Sequence, residues 1–266
     1  MVACSPRISL SFLLFGLVAS LCHLFSSPAA AAQSPLTYKT ETFERGEAGC
    51  KPKEPGCSYV SFTYPKFTAG TDLKVLNALN AAVQNFLLGR SDGNPAKDFN
   101  DWASKEMTKK TGPEKWTFEK KVDVELNRSS VVSLSLFQED YIKNPFMQPK
   151  SWVTLVSFNA QTGTKISLND LLMGNYQADL TRLGEKSFRM AKKISPQESL
   201  AERDFTFKDG KFQLNDNFMV GSNGLVFQFN KYEIAPGMDG PTRFTIPYSE
   251  LKGLSSANGV LASFVE

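Results

Sequence analysis

Histidine is almost absent from this 266-residue sequence. The only one, His23, lies in an N-terminal apolar stretch that we expect to be removed. Without imidazole, the chain has no Ser–His or Cys–His nucleophile pair, no imidazole general base and no histidine-containing zinc site. A glycine-rich phosphate loop is also missing. We therefore expect no catalytic residue, no metal site and no cofactor.

The sequence also lacks a strong excess of positive charge. It has 30 Lys and Arg against 27 Asp and Glu, which gives a net charge of +3. Proteins that hold nucleic acid usually carry a basic stripe and a higher pI, so nucleic acid is not an expected partner. Hydrophobic residues make up 41% and aromatic residues 12% of the chain. That composition supports a packed core and argues against disorder.

The first 32 residues have the pattern of a secretory signal peptide. Arg7 is the only charged residue before Lys39, residues 8–25 are almost wholly apolar, and residues 29–32 are alanines. A short positive region, an apolar region and small residues at the end are typical of a cleaved export signal. We place the cleavage after Ala32 and expect an extracytoplasmic protein, periplasmic or secreted, without a stable membrane span. The alternative is an uncleaved anchor, because residues 8–25 are just long enough to cross a bilayer.

Cysteine is scarce, and its distribution points to one disulfide. Cys4 and Cys22 lie in the predicted signal peptide, which leaves Cys50 and Cys57. Export leads to an oxidising compartment, where an even pair of cysteines is expected to be bonded. The turn-rich residues 51–56 can bring the two cysteines together, so we predict a disulfide that staples a loop. The spacing is not Cys-x-x-Cys, which disfavours a redox site.

Apolar periodicity predicts the secondary structure. Alternating apolar residues indicate strands, and apolar residues three and four apart indicate helices. We expect Pro65 to end the second strand, residues 195–198 to start a new helix, and Asn223-Gly224 to form a type I′ hairpin turn. The predicted strands are 36–43, 58–64, 116–126, 131–136, 152–158, 205–207, 218–220, 225–229 and 244–246, and the predicted helices are 72–88, 95–110 and 176–194.

Strands and helices occur in separate groups along the chain, which is typical of an α+β protein. We predict antiparallel sheets packed with amphipathic helices in two intimately packed subdomains, an N-terminal α+β domain of residues 33–172 and a C-terminal domain of residues 173–266. Among the residues expected in the core are Trp102, Trp116 and Trp152, and Leu180, Leu183, Phe188 and Met190 of the last helix.

The C-terminal part of the chain carries the most specific pattern. A strand pair around Asn223-Gly224 is followed by Tyr-Glu-Ile-Ala-Pro at 232–236, by Gly237, and by Ile-Pro-Tyr at 246–248. This pattern resembles the C-terminal domain of unknown function found in RsiV-type anti-sigma factors and PdaC-type peptidoglycan deacetylases. The upstream chain is similar to the companion domain of that family, so the resemblance covers about residues 36–255.

One segment departs from that family. After the residue that matches Tyr141, the family usually has Gly-Gly-Ala-His, whereas this chain has Ile-Lys-Asn-Pro-Phe-Met-Gln-Pro at 142–149. Properties that depend on that loop are therefore not carried over. The resemblance implies a non-enzymatic binding or sensing module at the bacterial cell envelope. Its ligand would be peptidoglycan or a protein, and in RsiV-like relatives that protein is lysozyme.

The candidate ligand-binding residues come from the same pattern. Tyrosine combines an apolar ring with a polar tip, and two acids flank Pro236-Gly237, where they can form an acidic rim. The alternatives are that the tyrosine hydroxyls satisfy buried backbone groups and that the acids are solvated loop charges. The predicted site residues are Tyr141, Asn223, Tyr232, Glu233 and Asp239.

An enzyme is the rival hypothesis. Paired carboxylates can hydrolyse envelope glycan, and their separation is set by the fold and not by the sequence spacing. The carboxylates near predicted strand ends are the candidates for this chemistry, and they are Glu139, Asp140 and Asp170.

Overall fold

The computed structural model describes residues 34–88, 95–110, 114–128, 130–144, 146–256 and 259–264, with the backbone alone for 95–97. The predicted signal peptide, residues 1–32, lies outside the described residues. The described residues belong to one compact unit. Within it, helices and strands build the predicted α+β fold as two subdomains, each with its own sheet.

The N-terminal sheet contains five of the described strands in the order β1-β2-β3-β4-β5. The predicted antiparallel pairing is confirmed for β3, β4 and β5, which are neighbours in this order. The pairing of β2 with β3 is parallel, which the prediction of antiparallel sheets missed. Two helices connect these strands, and such a crossover is what a parallel pair requires. The strands are β1 Thr37–Gly46, β2 Tyr59–Ala69, β3 Lys115–Arg128, β4 Val131–Lys143 and β5 Lys150–Asn159.

Pro65 does not end β2, contrary to the prediction. The strand continues to Ala69, and Pro65 lies opposite Thr40 of β1. Two residues further on, the N–H of Phe67 donates to Oδ1 of Asn80, which lies on a helix and not on β1. Since backbone groups alternate in direction along a strand, the missing N–H of Pro65 also faces away from β1. Proline is tolerated there because no ladder bond is lost.

Helices α1 (Leu73–Leu88) and α2 (Pro95–Lys109) cover one face of this sheet, as their periodicity predicts. Asp72 caps α1, since its Oδ1 accepts the N–H of Val75 at 2.9 Å. Aromatic rings fill much of the space between helices and sheet, and the ring centres of Trp102 and Phe118 are 4.9 Å apart. The core of this subdomain includes Val60, Phe62, Leu79, Val83, Leu87, Phe99, Trp116, Phe118, Val122, Leu134 and Val156.

The C-terminal subdomain packs a long helix against a smaller sheet of the order β6-β7-β8. Phe188 of that helix lies at the centre of an aromatic cluster that fixes the helix on the sheet. Met190 is 71% exposed, so its prediction as a core residue is wrong. The elements are α3 Leu168–Leu171, α4 Gln177–Lys192, β6 Phe218–Val220, β7 Gly224–Phe229, β8 Thr242–Pro247 and α5 Tyr248–Leu251.

Two predicted elements are absent from the described chain after α4. Residues 195–198 form a turn and not a helix start, although the N–H of Ser195 does donate to the Glu198 carboxylate. The predicted strand 205–207 is irregular. Thr206 makes one backbone bond, to Ile234, while the neighbouring Phe205 and Phe207 are buried against Phe188. The alternation in this segment therefore reflects aromatic burial without a ladder of strand bonds.

The two sheets are joined through a buried polar contact between β4, β5 and β6. The hydroxyl of Ser133 donates to the carbonyl of Val220 at 2.7 Å, and the N–H of Val220 donates to Ser157 Oγ at 2.8 Å. Beside these serines, Leu155 packs on Met219 of β6. Because all these groups are buried and partnered, the two subdomains are intimately packed, as predicted.

The predicted disulfide is confirmed, since Cys50 and Cys57 are bonded. It closes the loop between β1 and β2, which lie side by side in the N-terminal sheet. Glu47 lies beside the two sulfurs, but sulfurs joined in a disulfide are not the thiolates that bind metals. The bond therefore acts as a staple on this loop.

Candidate functional site

The turn between β6 and β7 differs from the predicted type I′ turn. That turn needs positive φ at both central residues, and neither Asn223 nor Gly224 is among the described residues with positive φ. The N–H of Gly221 donates to the carbonyl of Gly224 at 2.8 Å, which puts residues 222 and 223 at the centre of the turn. Gly224 is required for another reason, because a Cβ there would lie 2.1 Å from the carbonyl oxygen of Ile246.

The loop after β7 holds Tyr232 in an unusual and exposed position. Its φ is +68°, which is uncommon for a residue with a bulky side chain. The residue is 70% exposed, and its ring rests against Gly237, where an added Cβ would lie 2.1 Å from the ring. Glu233 fixes the loop, because its carboxylate accepts the N–H of Asn230 and the side-chain amide of Asn215, each at 2.7 Å. The tyrosine is therefore presented to solvent by a constrained loop.

Two asparagines attach this loop to the edge of β5. Oδ1 of Asn230 accepts the N–H of Val153, and Oδ1 of Asn217 accepts the N–H of Leu155, each at 2.7 Å. Their side-chain amides also donate to the carbonyl of Val153. The asparagines thus take the place of a neighbouring strand along this part of the edge. As a result, the residues that follow Asn230 lie beside the beginning of β5.

A groove of about 550 Å³ is formed where these parts meet. It is lined by residues 147–152 on one side and by Lys231 and Tyr232 on the other, and we refer to it as the groove. Trp152, which is 39% exposed, contributes its indole ring, and Tyr232 contributes its phenol ring. The ammonium of Lys231 lies 5.2 Å from the centre of the Tyr232 ring. Lys150 adds a second positive charge, and the described lining contains no carboxylate.

A pair of glutamates lies next to the groove on the face of the N-terminal sheet away from α1 and α2. Glu119 and Glu139 are directly opposite each other on β3 and β4, and Glu139 also lies opposite Ser151 of β5. The hydroxyl of Tyr59 donates to the Glu119 carboxylate. Burial and the nearby negative charge of Glu119 raise the pKa of Glu139. The two carboxylates therefore have different environments, as an acid and base pair would need.

The structure does not bring the predicted site residues together. Tyr232 lines the groove, and Glu233 supports its loop. Asn223 lies at the opposite end of β7, Tyr141 lies within β4 opposite Thr117, and Asp239 lines a separate cleft. Whether any of them binds a ligand stays a prediction.

The candidate catalytic carboxylates are likewise apart or engaged. Asp140 accepts the indole N–H of Trp116 at 2.6 Å. Asp170 accepts the hydroxyl and N–H of Ser167, and these bonds lower its pKa. Glu139 lies opposite Ser151 near the start of β5, whereas Asp170 follows the far end of that strand.

Sequence reasoning missed most of the groove. Trp152 was expected in the core because it shares the inner face of β5 with Val156 and Phe158, but it lies near the start of the strand and remains partly exposed. Lys231 precedes Tyr232 directly and Lys150 lies two positions before Trp152, and neither lysine carries a motif of its own. The one available signal was the departure from the family at 142–149, because residues 147–149 of that segment line the groove.

No helix in the described part of the chain is both long and apolar enough to cross a membrane.

Comparison with known proteins supports the fold. Residues 169–249 match the family model described as "Protein of unknown function (DUF3298)". No curated protein matches the chain. A solved structure of a DUF3298 family member from Bacteroides fragilis has 18% identity and a TM-score of 0.69, with 86% of this chain and 98% of that chain covered. A DUF3298 family protein from Pseudomonas aeruginosa has 17% identity and a TM-score of 0.65, with coverage of 85% and 97%. The chain therefore shares the fold of these two bacterial proteins, and its residues 169–249 match the DUF3298 family.

Proposed function

We propose that the chain is an extracytoplasmic, non-enzymatic binding module of the bacterial cell envelope and that the groove is its ligand site. The observation that carries this proposal is the exposed Trp152 and Tyr232 on two sides of one concave surface. Exposed aromatic rings that flank a pocket are typical of binding surfaces, where they bury a large area at small entropic cost. The signal-like N-terminus and the Cys50–Cys57 disulfide favour an oxidising, extracytoplasmic location.

The ligand is proposed to be a protein or peptidoglycan, as the resemblance to RsiV-type and PdaC-type proteins implies. Lysozyme is one candidate protein. The segment 142–149 replaces the family's Gly-Gly-Ala-His, and residues 147–149 of it contribute to the groove. Because the surface itself is changed there, we expect the ligand preference of this chain to differ from that of RsiV-like relatives.

A sedimentation and capture experiment tests the proposal. The mature protein is incubated with purified peptidoglycan and spun down, and in parallel it is passed over immobilised lysozyme. Trp152→Ala and Tyr232→Ala should each weaken retention about tenfold, which corresponds to about 1.4 kcal/mol per lost aromatic contact. Tyr38→Ala is the matched control, since Tyr38 is similarly exposed but lies on β1, at the opposite edge of the sheet from β5. Equal retention of all four proteins would exclude the groove as the site.

The enzyme remains a second candidate, and the Glu119 and Glu139 pair is the observation that favours it. Glu139, whose pKa is raised by burial and by the charge of Glu119, can act as an acid beside the groove. Release of soluble fragments from peptidoglycan, followed over time, tests this hypothesis. An enzyme would show turnover that Glu139→Gln abolishes, whereas a binding module would show sedimentation without release.

A further inference from the structure

The beginning of β5 is an open strand edge inside the groove. The N–H and carbonyl of Val153 point away from β4, because Asn217 and Asn230 bond to them from the other side. Backbone groups alternate along a strand, so the N–H and carbonyl of Ser151 point the same way. No described residue bonds to these two groups of Ser151, and Ser151 lines the groove. One pair of strand-type backbone groups is thus presented to a ligand.

The charged side chains that line the groove itself are positive. Lys150 precedes Ser151, and Lys231 lies on the facing wall. Lys110 and Asp140 line the adjoining cleft, which shares residues 147, 148 and 150 with the groove, and the Asp140 carboxylate accepts the indole N–H of Trp116. Glu139 lies opposite Ser151 but on the β4 side of the strand, away from the open edge. The Glu233 carboxylate is held within its own loop by Asn230 and Asn215. A ligand on the open edge therefore meets positive charge.

From these two observations we infer that the groove binds an extended acidic peptide segment, which adds to β5 through two hydrogen bonds with Ser151. This inference rests on the proposed function and names the ligand class of the same site. Strand addition supplies affinity through main-chain bonds, and neighbouring side chains supply specificity. The rings of Trp152 and Tyr232 would pack on alternate side chains of the peptide, and Lys150 and Lys231 would pair with its carboxylates.

The contact is confined to a short length of strand. Pro149 has no N–H to donate. The N–H and carbonyl of Val153 are already hydrogen-bonded to the side chains of Asn230 and Asn217. We therefore expect a short recognition segment and weak binding, because only one residue of β5 can exchange both bonds.

Titration of the ¹⁵N-labelled mature protein tests this inference with three defined probes. They are the peptide acetyl-Glu-Val-Glu-Val-Glu-amide, its lysine counterpart acetyl-Lys-Val-Lys-Val-Lys-amide, and tetra-N-acetylglucosamine. We expect the acidic peptide to shift the amide signals of Ser151 and Trp152 saturably and to slow hydrogen exchange at the Ser151 amide. The lysine peptide should have at least about tenfold lower affinity.

Two variants and one control separate the contributions. Ser151→Pro removes the outward N–H without removing a ladder bond, so it should fold and lose the peptide. Lys150→Glu with Lys231→Glu should weaken the acidic peptide at least about tenfold. If Ser151→Pro fails to fold, the charge reversal still tests the inference. Lys39→Glu with Lys252→Glu is the matched control, since both lysines are exposed and lie outside the groove, and it should bind as the wild type does.

The outcomes distinguish this inference from the proposed function. Suppose that the acidic peptide leaves the Ser151 amide signal unshifted while tetra-N-acetylglucosamine shifts the signals of Trp152 and Ser151. The inference of a peptide ligand is then wrong, whereas the proposal that the groove binds a ligand is supported. If none of the three probes shifts the amide signal of a groove residue, the inference of a peptide ligand is also wrong. The proposed function is then decided by sedimentation with peptidoglycan and capture on lysozyme. Equal binding by the charge-reversed variant and its control would likewise overturn the inference.

Discussion

The two tyrosines of the C-terminal pattern lie in opposite environments. Tyr248 is buried, and its hydroxyl donates to the carbonyl of Gly221 at 2.7 Å. Tyr232 is exposed, has positive φ and rests its ring on Gly237. A tyrosine in a recurring pattern can thus serve packing or presentation, and only its surroundings tell which. The buried end of the pattern should control stability, and the exposed end should control binding.

The largest expected effect is at the buried end, at Gly224. Alanine there would place a Cβ 2.1 Å from the carbonyl of Ile246, so β7 and β8 must move apart. We expect Gly224→Ala to lower the free energy of unfolding by about 3 kcal/mol, measured by urea denaturation. Gly253→Ala is the control, because no atom lies within 4 Å of its added Cβ. Similar stabilities of the two variants would contradict this account of Gly224.

Removing the hydroxyl of Tyr248 should have the next largest effect. Tyr248→Phe deprives the buried carbonyl of Gly221 of its donor, at an expected cost of about 1–3 kcal/mol in the free energy of unfolding. Tyr232→Phe should change the stability by less than about 0.5 kcal/mol, since its side chain is exposed. If both variants lose the same stability, the contrast between the two tyrosines fails.

Alkaline pH should sharpen the same contrast. Burial raises the pKa of Tyr248 above the ordinary value of 10.0, with a smaller opposing effect from the charge of Arg128. Above pH 10 the unfolded chain releases this proton and the folded chain retains it, so stability falls as the pH rises. This group should account for a loss of about 1 kcal/mol between pH 10 and 11.

Urea denaturation at both pH values, on wild type and Tyr248→Phe, isolates that contribution. Tyr59 and Tyr64, whose pKa values are also raised by burial, remain in both proteins and cancel in the comparison. The variant should lose less stability over this interval. An identical loss in the two proteins would show that Tyr248 does not contribute.

A smaller change in stability than at Gly224 is expected at Gly237. The atoms nearest to an added Cβ belong to the end of the Tyr232 side chain, which can swing away into solvent. Gly237→Ala should therefore lower the free energy of unfolding by less than about 1 kcal/mol. Because the ring leaves its position, ligand affinity should fall about as far as in Tyr232→Ala, which sedimentation with the bound ligand would show. Wild-type affinity would mean that the position of the ring is unimportant.

The sequence predicts the elements whose burial pattern is regular. The alternation in β3, β4 and β5 and the apolar stripes of α1 and α4 arise from faces buried against one core, so their positions were predictable. Residues 205–207 alternate because their phenylalanines are buried, although the backbone there forms no ladder. The predicted end of β2 at Pro65 was wrong. Whether the missing N–H of a proline costs a ladder bond depends on which side of the strand has a neighbour, and the sequence does not show that.

The groove was less predictable, because it is assembled by topology. Residues 147–152 and 231–232 are about eighty positions apart in sequence, and the side chains of Asn217 and Asn230 bring them together. No local pattern shows that an asparagine will bond to the edge of a distant strand. Tyr232 was predicted as a site residue because its ring is apolar and its hydroxyl is polar. Trp152, on the other side of the groove, was predicted in the core because it lies on the same face of β5 as the buried residues.

Equilibrium binding of the wild-type, Trp152→Ala and Tyr38→Ala proteins is the most direct test of the central claim. Each would be measured against peptidoglycan, lysozyme and the acidic peptide under the same conditions. We predict that at least one ligand binds wild type and Tyr38→Ala equally and binds Trp152→Ala about tenfold more weakly. Equal affinity of all three proteins for every ligand that binds would contradict the claim that the groove is the binding site.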